Sequence, residues 1–286
     1  MNGKRVIREK TPRQLLNRAT GFLEGYTHTL NPYVGCAFAC SYCYVRQMPV
    51  ALFRGEEWGS WVDIKTEAAE VLRKDLRKAR RQEGPVTIFM SSSTDPYQPE
   101  EAKFGVTRSL LEVMAGDEAA PNFLFVQTRS PLVSRDLDLL AKLGNRVRLS
   151  MTIETDREDM RRAFTPYAPP LQARFRVLKE AVSRGIPAQA TIAPVLPSTD
   201  SFADRLAEIV DRVCIDDYFM GDGSQGRRTQ RLGLKAQYEC LGVGDWYDRE
   251  AYKRVLARLK EHFPQDRIGI SQIGFSPQFA PARTPL

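Results

Sequence analysis

Residues 31–45 read NPYVGCAFACSYCYV and contain three of the five cysteines in this 286-residue chain. Their spacing is Cys36-x3-Cys40-x2-Cys43. Thiolates are soft ligands that suit zinc or iron–sulfur clusters. A trio this tight does not resemble the disulfide framework of a secreted protein. The segment therefore indicates metal ligation in a reducing compartment.

The number of cysteines is as informative as their spacing. A structural zinc site or an electron-transfer cluster normally has four protein ligands, so three leave one metal corner open to an exogenous ligand. Zinc with His28 as the fourth ligand is the alternative. His28 precedes Cys36 by eight residues, an unusual spacing for zinc, and lies in the strand-like Tyr26–Leu30. We therefore favour an iron–sulfur cluster with one open iron.

Around this segment, the hydrophobic pattern alternates between short strands and longer amphipathic helices. The predicted strands are Tyr26–Leu30, Val86–Met90, Phe123–Val126, Val147–Ile153, Ala188–Ala193 and Ile215–Met220. The predicted helices are Thr66–Gln82, Thr107–Ala115, Ser134–Leu143, Pro170–Arg184 and Ser201–Val213. This alternation predicts βαβ units and a parallel sheet. A closed eight-fold barrel needs ~250 residues, so we predict an α/β fold with a partial (β/α)6 TIM-like barrel and short terminal extensions.

The barrel is predicted over residues 26–222. An N-terminal extension, residues 1–25, carries a helix candidate at Pro12–Ala19. Residues 223–286 are predicted to contain a loop, a helix at Asp248–His262 and a strand at Arg267–Ile273 that pack on or near the barrel.

The bulk composition restricts the class of protein. Mean hydropathy is −0.38, no apolar run approaches a membrane span, and the first residues lack the apolar core of a signal peptide. We therefore expect a soluble cytoplasmic protein. The net charge of +7 favours a polyanionic partner such as nucleic acid. Much of that charge lies on the predicted helix Thr66–Gln82, where an ordinary solvated surface explains it slightly better.

The cysteine trio, with Tyr42 before the last cysteine and Tyr44 after it, resembles the signature of the radical S-adenosylmethionine (SAM) superfamily. The context LNPYVGCAFACSYCYV resembles the DNA-repair-photolyase-like branch that includes spore photoproduct lyase. The resemblance covers residues 26–220. It implies a [4Fe–4S] cluster on Cys36, Cys40 and Cys43, SAM on the open iron, and cleavage of SAM to a 5′-deoxyadenosyl radical that abstracts hydrogen from a substrate. It also implies a reductant such as flavodoxin or ferredoxin.

The resemblance implies further SAM contacts near the carboxyl ends of the strands, where barrel active sites form. Tyr42 and Tyr44 flank Cys43, and the backbone of Tyr44 matches the position that meets the adenine edge. Ser92, Ser93, Thr94 and Asp95 occupy the place of the loop that binds the SAM amino group and offer oxygen acceptors. A polar turn closed by Pro96 is the alternative.

The strand Val147–Ile153 alternates between apolar and polar residues. Its apolar set, Val147, Leu149, Met151 and Ile153, can face the helices, which turns Arg148, Ser150, Thr152 and then Glu154 into the barrel. Barrel interiors are ordinarily filled by branched apolar residues, so a polar inner face indicates a ligand. Ser150 matches the position that bonds the SAM ribose, and Glu154 is a further candidate. An exposed edge strand is the alternative.

Four more positions are implied as SAM contacts. Thr128 and Arg129 resemble part of a Thr-Lys-Ser motif, with Arg129 in place of the lysine that would pair with the SAM carboxylate. Arg174 could serve the same carboxylate or be an exposed helical arginine. Ile192 would form a wall beside the adenine, although a plain core strand explains it nearly as well.

The resemblance does not extend to a catalytic cysteine. Spore photoproduct lyase returns hydrogen from a further cysteine in the loop after its second strand, whereas here residues 91–99 read SSSTDPYQP. Tyr97 and Cys240 are the remaining weak candidates for a relay or donor. The substrate stays open between a nucleic acid and a small molecule or protein. A non-catalytic, zinc-binding module associated with nucleic acid is the third hypothesis.

Overall fold

The computed structural model describes residues 5–116 and 120–279. Its strands are β1 (Val6–Lys10), β2 (Leu16–Arg18), β3 (His28–Leu30), β4 (Tyr33–Val34), β5 (Trp61–Lys65), β6 (Thr87–Met90), β7 (Phe123–Thr128), β8 (Val147–Thr152), β9 (Ala188–Ile192), β10 (Val213–Ile215) and β11 (Ile268–Ile270). Its α-helices are α1 (Pro49–Leu52), α2 (Ala68–Glu83), α3 (Glu101–Phe104), α4 (Val106–Met114), α5 (Leu137–Leu143), α6 (Glu158–Phe164), α7 (Leu171–Ser183), α8 (Phe202–Ala207), α9 (Tyr218–Gly221), α10 (Arg227–Gln230), α11 (Leu234–Cys240), α12 (Tyr252–His262) and α13 (Gln272–Phe275).

Eight strands form the main sheet in the order β11-β10-β9-β8-β7-β6-β3-β2. All neighbouring pairs from β3 to β11 are parallel, and only β2 is antiparallel to its neighbour β3. The six predicted repeats therefore lie side by side in chain order. Because the described sheet begins at β11 and ends at β2, the barrel is open, and the prediction of a partial TIM-like barrel is confirmed.

The register brings the carboxyl ends of the strands together. Leu30 pairs with Met90, Met90 with Val126, and Val126 with Leu149. The residues that follow these positions therefore emerge at one edge of the sheet, which is where barrel enzymes place their active sites.

Strand β8 has the two faces that its alternation predicts. Val147, Leu149 and Met151 lie in the main hydrophobic core, which the surrounding helices share. The intervening Ser150 and Thr152 are buried as well, at 0% and 3% exposure. The alternative of an exposed edge strand is therefore wrong, because β7 and β9 pair with β8 on both sides.

An aromatic floor fills part of the barrel interior. Phe89 and Phe125 stack with their ring centroids 4.9 Å apart, and Phe275 packs edge-on against both. The Tyr26 hydroxyl donates to the Phe275 carbonyl at 2.6 Å, which joins the first barrel strand to the C-terminal part of the chain. Aromatic rings bury large apolar areas, so this floor stabilises the barrel from within.

A second, three-stranded sheet with the order β1-β5-β4 supports the cysteine loop. Gly35 follows β4 directly, and its φ of +86° is a conformation that side chains rarely adopt. A Cβ at this position would lie 2.7 Å from the Trp61 carbonyl oxygen. Only glycine therefore lets the chain turn against β5 and present Cys36 to the interior.

Three local predictions are wrong. The helix predicted at Ser201–Val213 ends at Ala207, and Val213 already belongs to β10. No helix forms at Pro12–Ala19, and only its residues 16–18 form the strand β2, because the Asp75 carboxylate accepts from the backbone N–H groups of Leu15 and Leu16 and Leu16 pairs with Leu30. The strand at Ile215–Met220 ends at Ile215, and α9 begins at Tyr218.

The C-terminal strand prediction is correct in kind, since β11 pairs in parallel with β10. The division of the chain at residues 25/26 and 222/223 stays a prediction. None of the helices in the described ranges has the length and apolar character needed to cross a bilayer.

Candidate active site

A cavity of about 600 Å³ opens at the carboxyl ends of the barrel strands. Its volume is within the ~300–1,000 Å³ typical of small-molecule sites. Many of the residues implicated by the sequence share it, namely Cys36, Cys40, Cys43, Tyr42, Tyr44, the Ser92–Asp95 loop, Thr128 and Arg129. Residues far apart in sequence thus meet in one chamber, which we call the reaction cavity.

The three cysteines lie on a tight loop on one side of the reaction cavity. Cys36 and Cys40 are buried, Cys43 is half-buried, and the Cys43 N–H donates to the Cys40 carbonyl at 3.1 Å. Burial raises the pKa of all three thiols, that of Cys43 to about 12. Metal ligation requires thiolates, so metal binding here is coupled to proton release.

The polar loop after β6 braces the cysteine loop. The Thr94 hydroxyl donates to the Gly35 carbonyl at 2.6 Å, and the Gln98 side-chain oxygen accepts from the Ala37 N–H at 2.8 Å. The Tyr44 hydroxyl donates to the Ser92 carbonyl at 2.9 Å. These bonds fix the position of the thiols relative to the end of the second barrel strand.

A buried charge network adjoins the cysteine loop. The Glu154 carboxylate accepts from the Tyr42 hydroxyl and from Arg129 Nη1, both at 2.8 Å, and from Arg174 Nη1 at 2.6 Å. Burial alone would raise the pKa of Glu154, but Arg174 and Arg129 outweigh it and hold the pKa below its ordinary value. Glu154 therefore orients Arg129, which lines the reaction cavity.

Asp95 joins the polar loop after β6 to the end of β7. Its Oδ1 accepts from the Thr128 hydroxyl at 2.7 Å and from the Tyr97 N–H at 2.9 Å, and its Oδ2 accepts from the Arg129 N–H at 2.9 Å. Burial raises the pKa of Asp95 despite these bonds. The carboxylate thus holds the end of β7 against the polar loop, in addition to facing the cavity.

Other predicted site residues lie outside the residues that line the cavity. The Ser150 hydroxyl bonds the Thr191 hydroxyl at 2.5 Å, beneath the cavity surface. Ile192 and Tyr97 are fully buried in the main core, while the neighbouring Ala193 lines the cavity instead. Cys240 is exposed at the end of α11. The roles proposed for these residues stay predictions.

The position of His28 contradicts its role as a zinc ligand. Its Nδ1 lies 2.9 Å from the Thr27 hydroxyl, and its Nε2 lies 3.6 Å from the Glu83 carboxylate on the outer helix α2. Within the described ranges, no three Cys, His, Asp or Glu side chains gather round one metal-ion position. The thiols of a cubane cluster need not converge on one position, because each cysteine binds a different iron.

Asp216 and Asp217 line the cavity after β10 and were not predicted from the sequence. Both are more than nine-tenths buried, and Asp216 Oδ1 and Asp217 Oδ2 have no hydrogen-bond partner in the described part of the chain. Gly221 passes so close that a Cβ would lie 2.0 Å from Asp216 Oδ2. Their position at the carboxyl end of a barrel strand is the signal that could have identified them.

Asp216→Asn should stabilise the protein at pH 8. Burial raises the pKa of Asp216 from 3.8 to about 7, so the folded state binds a proton that the unfolded state has lost. The contribution of Asp216 to the free energy of unfolding is therefore fully present below about pH 4 and is lost as the pH rises towards 7. A shift of this size corresponds to at most about 4 kcal/mol.

Thermal unfolding at pH 4.5 and pH 8 checks this prediction. The variant should gain stability at pH 8 and gain little at pH 4.5. Asp200→Asn, at a side chain that is 95% exposed, is the control and should behave like wild type at both. An equal effect of Asp216→Asn at both pH values would contradict the assignment.

The donor set fits a [4Fe–4S] cluster with SAM on its open iron. Three thiols of suitable chemistry face one cavity, and within reach of the same cavity lie a guanidinium for a carboxylate and several oxygen acceptors for an ammonium. Cys36, Cys40 and Cys43 would hold the cluster. Arg129 and the Ser92–Asp95 loop would contact the amino-acid part of SAM.

Comparison with solved structures supports the fold. A spore photoproduct lyase variant superposes with a TM-score of 0.65 over 93% of this chain and 81% of that chain, at 12% sequence identity. A likeness at this identity concerns the fold alone.

Sequence comparison finds relatives at higher identity. MJ0683 from Methanocaldococcus jannaschii is 32% identical over 175 residues, which is 61% of this chain and 62% of that protein. Rv2578c from Mycobacterium tuberculosis is 29% identical over 194 residues, 66% of this chain and 55% of that protein. The chain thus matches little more than half the length of these relatives.

The profile of the Radical SAM superfamily matches residues 30–213. The match begins at the last residue of β3, includes the cysteine loop and the strands β6 to β9, and ends at the first residue of β10, so it spans most of the barrel. The chain therefore belongs to the radical SAM superfamily, whose cofactors are a [4Fe–4S] cluster and S-adenosylmethionine.

Proposed function

We propose that this protein cleaves SAM reductively with a cluster on Cys36, Cys40 and Cys43 and abstracts hydrogen from a nucleic acid. The observation that carries the first part is the meeting of all three thiols with Arg129 in one cavity at the carboxyl edge of the barrel. The nucleic acid is supported by the net charge of +7 and by Arg228 in the cavity lining.

The cluster and SAM, when bound, supply one-electron cleavage of the sulfonium to a 5′-deoxyadenosyl radical. The chain's part is to bind, orient and shield. Arg129 uses only one terminal nitrogen, Nη1, for Glu154 and Tyr42, which leaves other N–H groups for the SAM carboxylate. Asp95 and the Ser92–Thr94 oxygens supply acceptors for the SAM ammonium.

The aromatic floor below the cavity limits access of water from the barrel interior. Phe89 and Phe275 belong both to this floor and to the cavity lining. A reactive radical needs exclusion of stray hydrogen donors, and rings packed in this way supply it. We also propose a cytoplasmic location and an electron donor such as flavodoxin or ferredoxin.

Hydrogen return by a cysteine is not part of this proposal. Cys36, Cys40 and Cys43 are the cysteines in the cavity lining, and all three are assigned to the cluster. Cys214 is fully buried beside the aromatic floor, and Cys240 is exposed. The repair reaction of spore photoproduct lyase is therefore not transferred to this chain.

One observation favours the second candidate, a radical SAM reaction on a small molecule or protein. Asp216 and Asp217 place two carboxyl groups in the cavity lining, which suit an amine or amide N–H. The same groups would repel a phosphate that entered the cavity itself, so a nucleic acid would have to place its base there.

Anaerobic reconstitution followed by reduction in the presence of SAM tests the enzyme class. We expect about four iron per chain and conversion of SAM to 5′-deoxyadenosine, measured by chromatography. A protein that takes up the iron but forms no 5′-deoxyadenosine would overturn the proposal. Colourless protein that contains zinc would favour the third hypothesis.

Titration with single-stranded and duplex DNA and RNA tests the substrate class. Binding should weaken steeply between about 50 and 200 mM salt, because phosphate contacts release counterions. Failure to bind any of these nucleic acids at about 50 mM salt would rule out a nucleic acid substrate and favour a small-molecule or protein substrate.

A further inference from the structure

A second pocket, of about 420 Å³, lies behind the cysteine loop. Trp58 lines both this pocket and the reaction cavity, so we call it the Trp58 pocket. Its other walls come from the turn after Cys43, which carries Arg46, and from the segment between α10 and α11, which carries Arg231. The function described above does not use this pocket.

The net charge of the Trp58 pocket is positive. In the described ranges of the chain, the guanidinium groups of Arg46 and Arg231 have no ion-pair or hydrogen-bond partner. The pocket also contains Glu56, but both of its oxygens accept from Arg8, and Oε2 also accepts from Arg54. The carboxylate is thus neutralised by its own arginines.

The unpaired groups in the pocket walls point to the same kind of ligand. Trp58 is 95% buried, since its exposure is 5%, and its indole N–H has no partner among the described residues. The buried Ser41 hydroxyl is also without a partner there. Both atoms are closed off from solvent, so a ligand reaches them only if the side chains around them shift. The guanidiniums of Arg46 and Arg231 can only donate, so a ligand that satisfies them must present several acceptors and negative charge.

We propose that the Trp58 pocket binds a phosphate group. A tetrahedral oxyanion offers acceptors in several directions, and arginine binds phosphate through two parallel N–H donors. The volume admits a phosphate with part of an attached nucleoside, within the range of small-molecule sites.

The position of the pocket connects it with the proposed substrate. The Arg46 N–H donates to the Cys43 carbonyl at 3.1 Å, and Trp58 is a wall of both chambers. A backbone phosphate held by Arg46 and Arg231 would leave a neighbouring nucleotide beside the reaction cavity. This identification of the phosphate as a phosphodiester rests on the proposed function, whereas the oxyanion site does not.

Binding to the reconstituted protein tests the inference with two probes, inorganic phosphate by calorimetry and a short fluorescein-labelled oligothymidylate by anisotropy. Arg231→Gln and Arg46→Gln should each weaken both probes roughly tenfold, as expected for loss of a charged hydrogen bond. Each should also reduce, by about 1, the steepness with which the logarithm of the oligonucleotide binding constant falls with the logarithm of the salt concentration.

Arg73→Gln is the matched control, because Arg73 is an exposed arginine on α2 that lines neither pocket and its loss changes the net charge equally. It should bind both probes like wild type. Arg231 is itself exposed, so its variant should keep the wild-type melting temperature and iron content, which excludes misfolding as the cause.

The outcomes separate the two proposals. Phosphate binding that is absent from wild type, or unchanged in both arginine variants, overturns the oxyanion site. Phosphate binding that the variants lose, with no oligonucleotide binding by wild type, supports an oxyanion site but overturns the phosphodiester and with it the proposed nucleic acid. SAM cleavage is measured separately, so its failure would count against the proposed function and the phosphodiester but not against the oxyanion site.

Discussion

Cys40→Ala should reduce bound iron from about four per chain to near zero and abolish formation of 5′-deoxyadenosine. Cys40 is buried, lines the reaction cavity and lies between the other two thiols of the loop. Removing one of three protein ligands leaves two irons without a thiolate, so a stable cubane is not expected. Iron and sulfide assays after anaerobic reconstitution, with chromatography of the SAM products, measure both effects.

Two other cysteines supply matched controls for this substitution. Cys240→Ala changes an exposed thiol outside the cavity, and it should keep both the iron and the SAM cleavage. Cys214→Ala removes a fully buried thiol that packs with the aromatic floor, so it should lower stability yet keep the cluster. A Cys40→Ala protein that retains four iron and forms 5′-deoxyadenosine would refute the cluster assignment.

The barrel could be predicted because each of its strands and helices is specified by a residue pattern within its own segment of the sequence. Strands such as β8 carry a two-residue alternation, and helices such as α2 carry an apolar stripe, so each element specifies its own type and buried face. The cysteine loop is equally local, since its ligands lie within eight residues. Parallel pairing of successive strands then follows from their alternation with helices.

The small sheet and β2 could not be predicted, because their pairing is distant and their patterns are weak. Every residue of β1 is exposed, yet β1 pairs with β5, 55 residues further along the chain. Strand β2 is only three residues long, and the carboxylate of Asp75, 59 residues away from Leu16, fixes its start. Tertiary contacts of this kind override local propensity.

The sequence predicts which side chains point into the barrel, but not whether each of them lines the cavity or lies beneath it. An inward-pointing residue can line a cavity or lie in the layer below it, and alternation does not distinguish the two. Ser150 and Thr152 point the same way, but only Thr152 is in the cavity lining. Asp216 and Asp217 were missed for another reason, since the predicted strand ran to Met220 and hid the end of β10.

The network around Glu154 shows what sequence reasoning could not anticipate. Arg129, Arg174 and Glu154 were each treated as separate SAM contacts. In the structure they form one chain of ion pairs, with Arg174 and Glu154 both at 0% exposure. Arg174 therefore acts through Glu154 on Arg129, which lines the cavity, and the three roles depend on one another.

Glu154→Gln should lower the free energy of unfolding by about 3–5 kcal/mol, the loss typical of breaking a buried ion pair on one side. The substitution leaves the Arg174 and Arg129 guanidiniums without a counter-charge. It also replaces one accepting carboxylate oxygen by an amide NH2 group, which can only donate. Chemical unfolding at pH 7.5 measures the loss. Glu180→Gln, in an exposed pair with Arg184, is the control and should change stability by less than about 0.5 kcal/mol.

The pH dependence of this loss has a definite sign. Because the pKa of Glu154 is depressed in the folded state, its stabilisation is present above the ordinary carboxyl range and is lost as pH falls through the folded pKa. The difference between wild type and Glu154→Gln should therefore shrink in acid. A second substitution, Arg174→Met, should restore part of the stability, since an apolar side chain removes one unpaired buried charge. Equal losses for Glu154→Gln and Glu180→Gln at pH 7.5 would show that the network does not stabilise the fold.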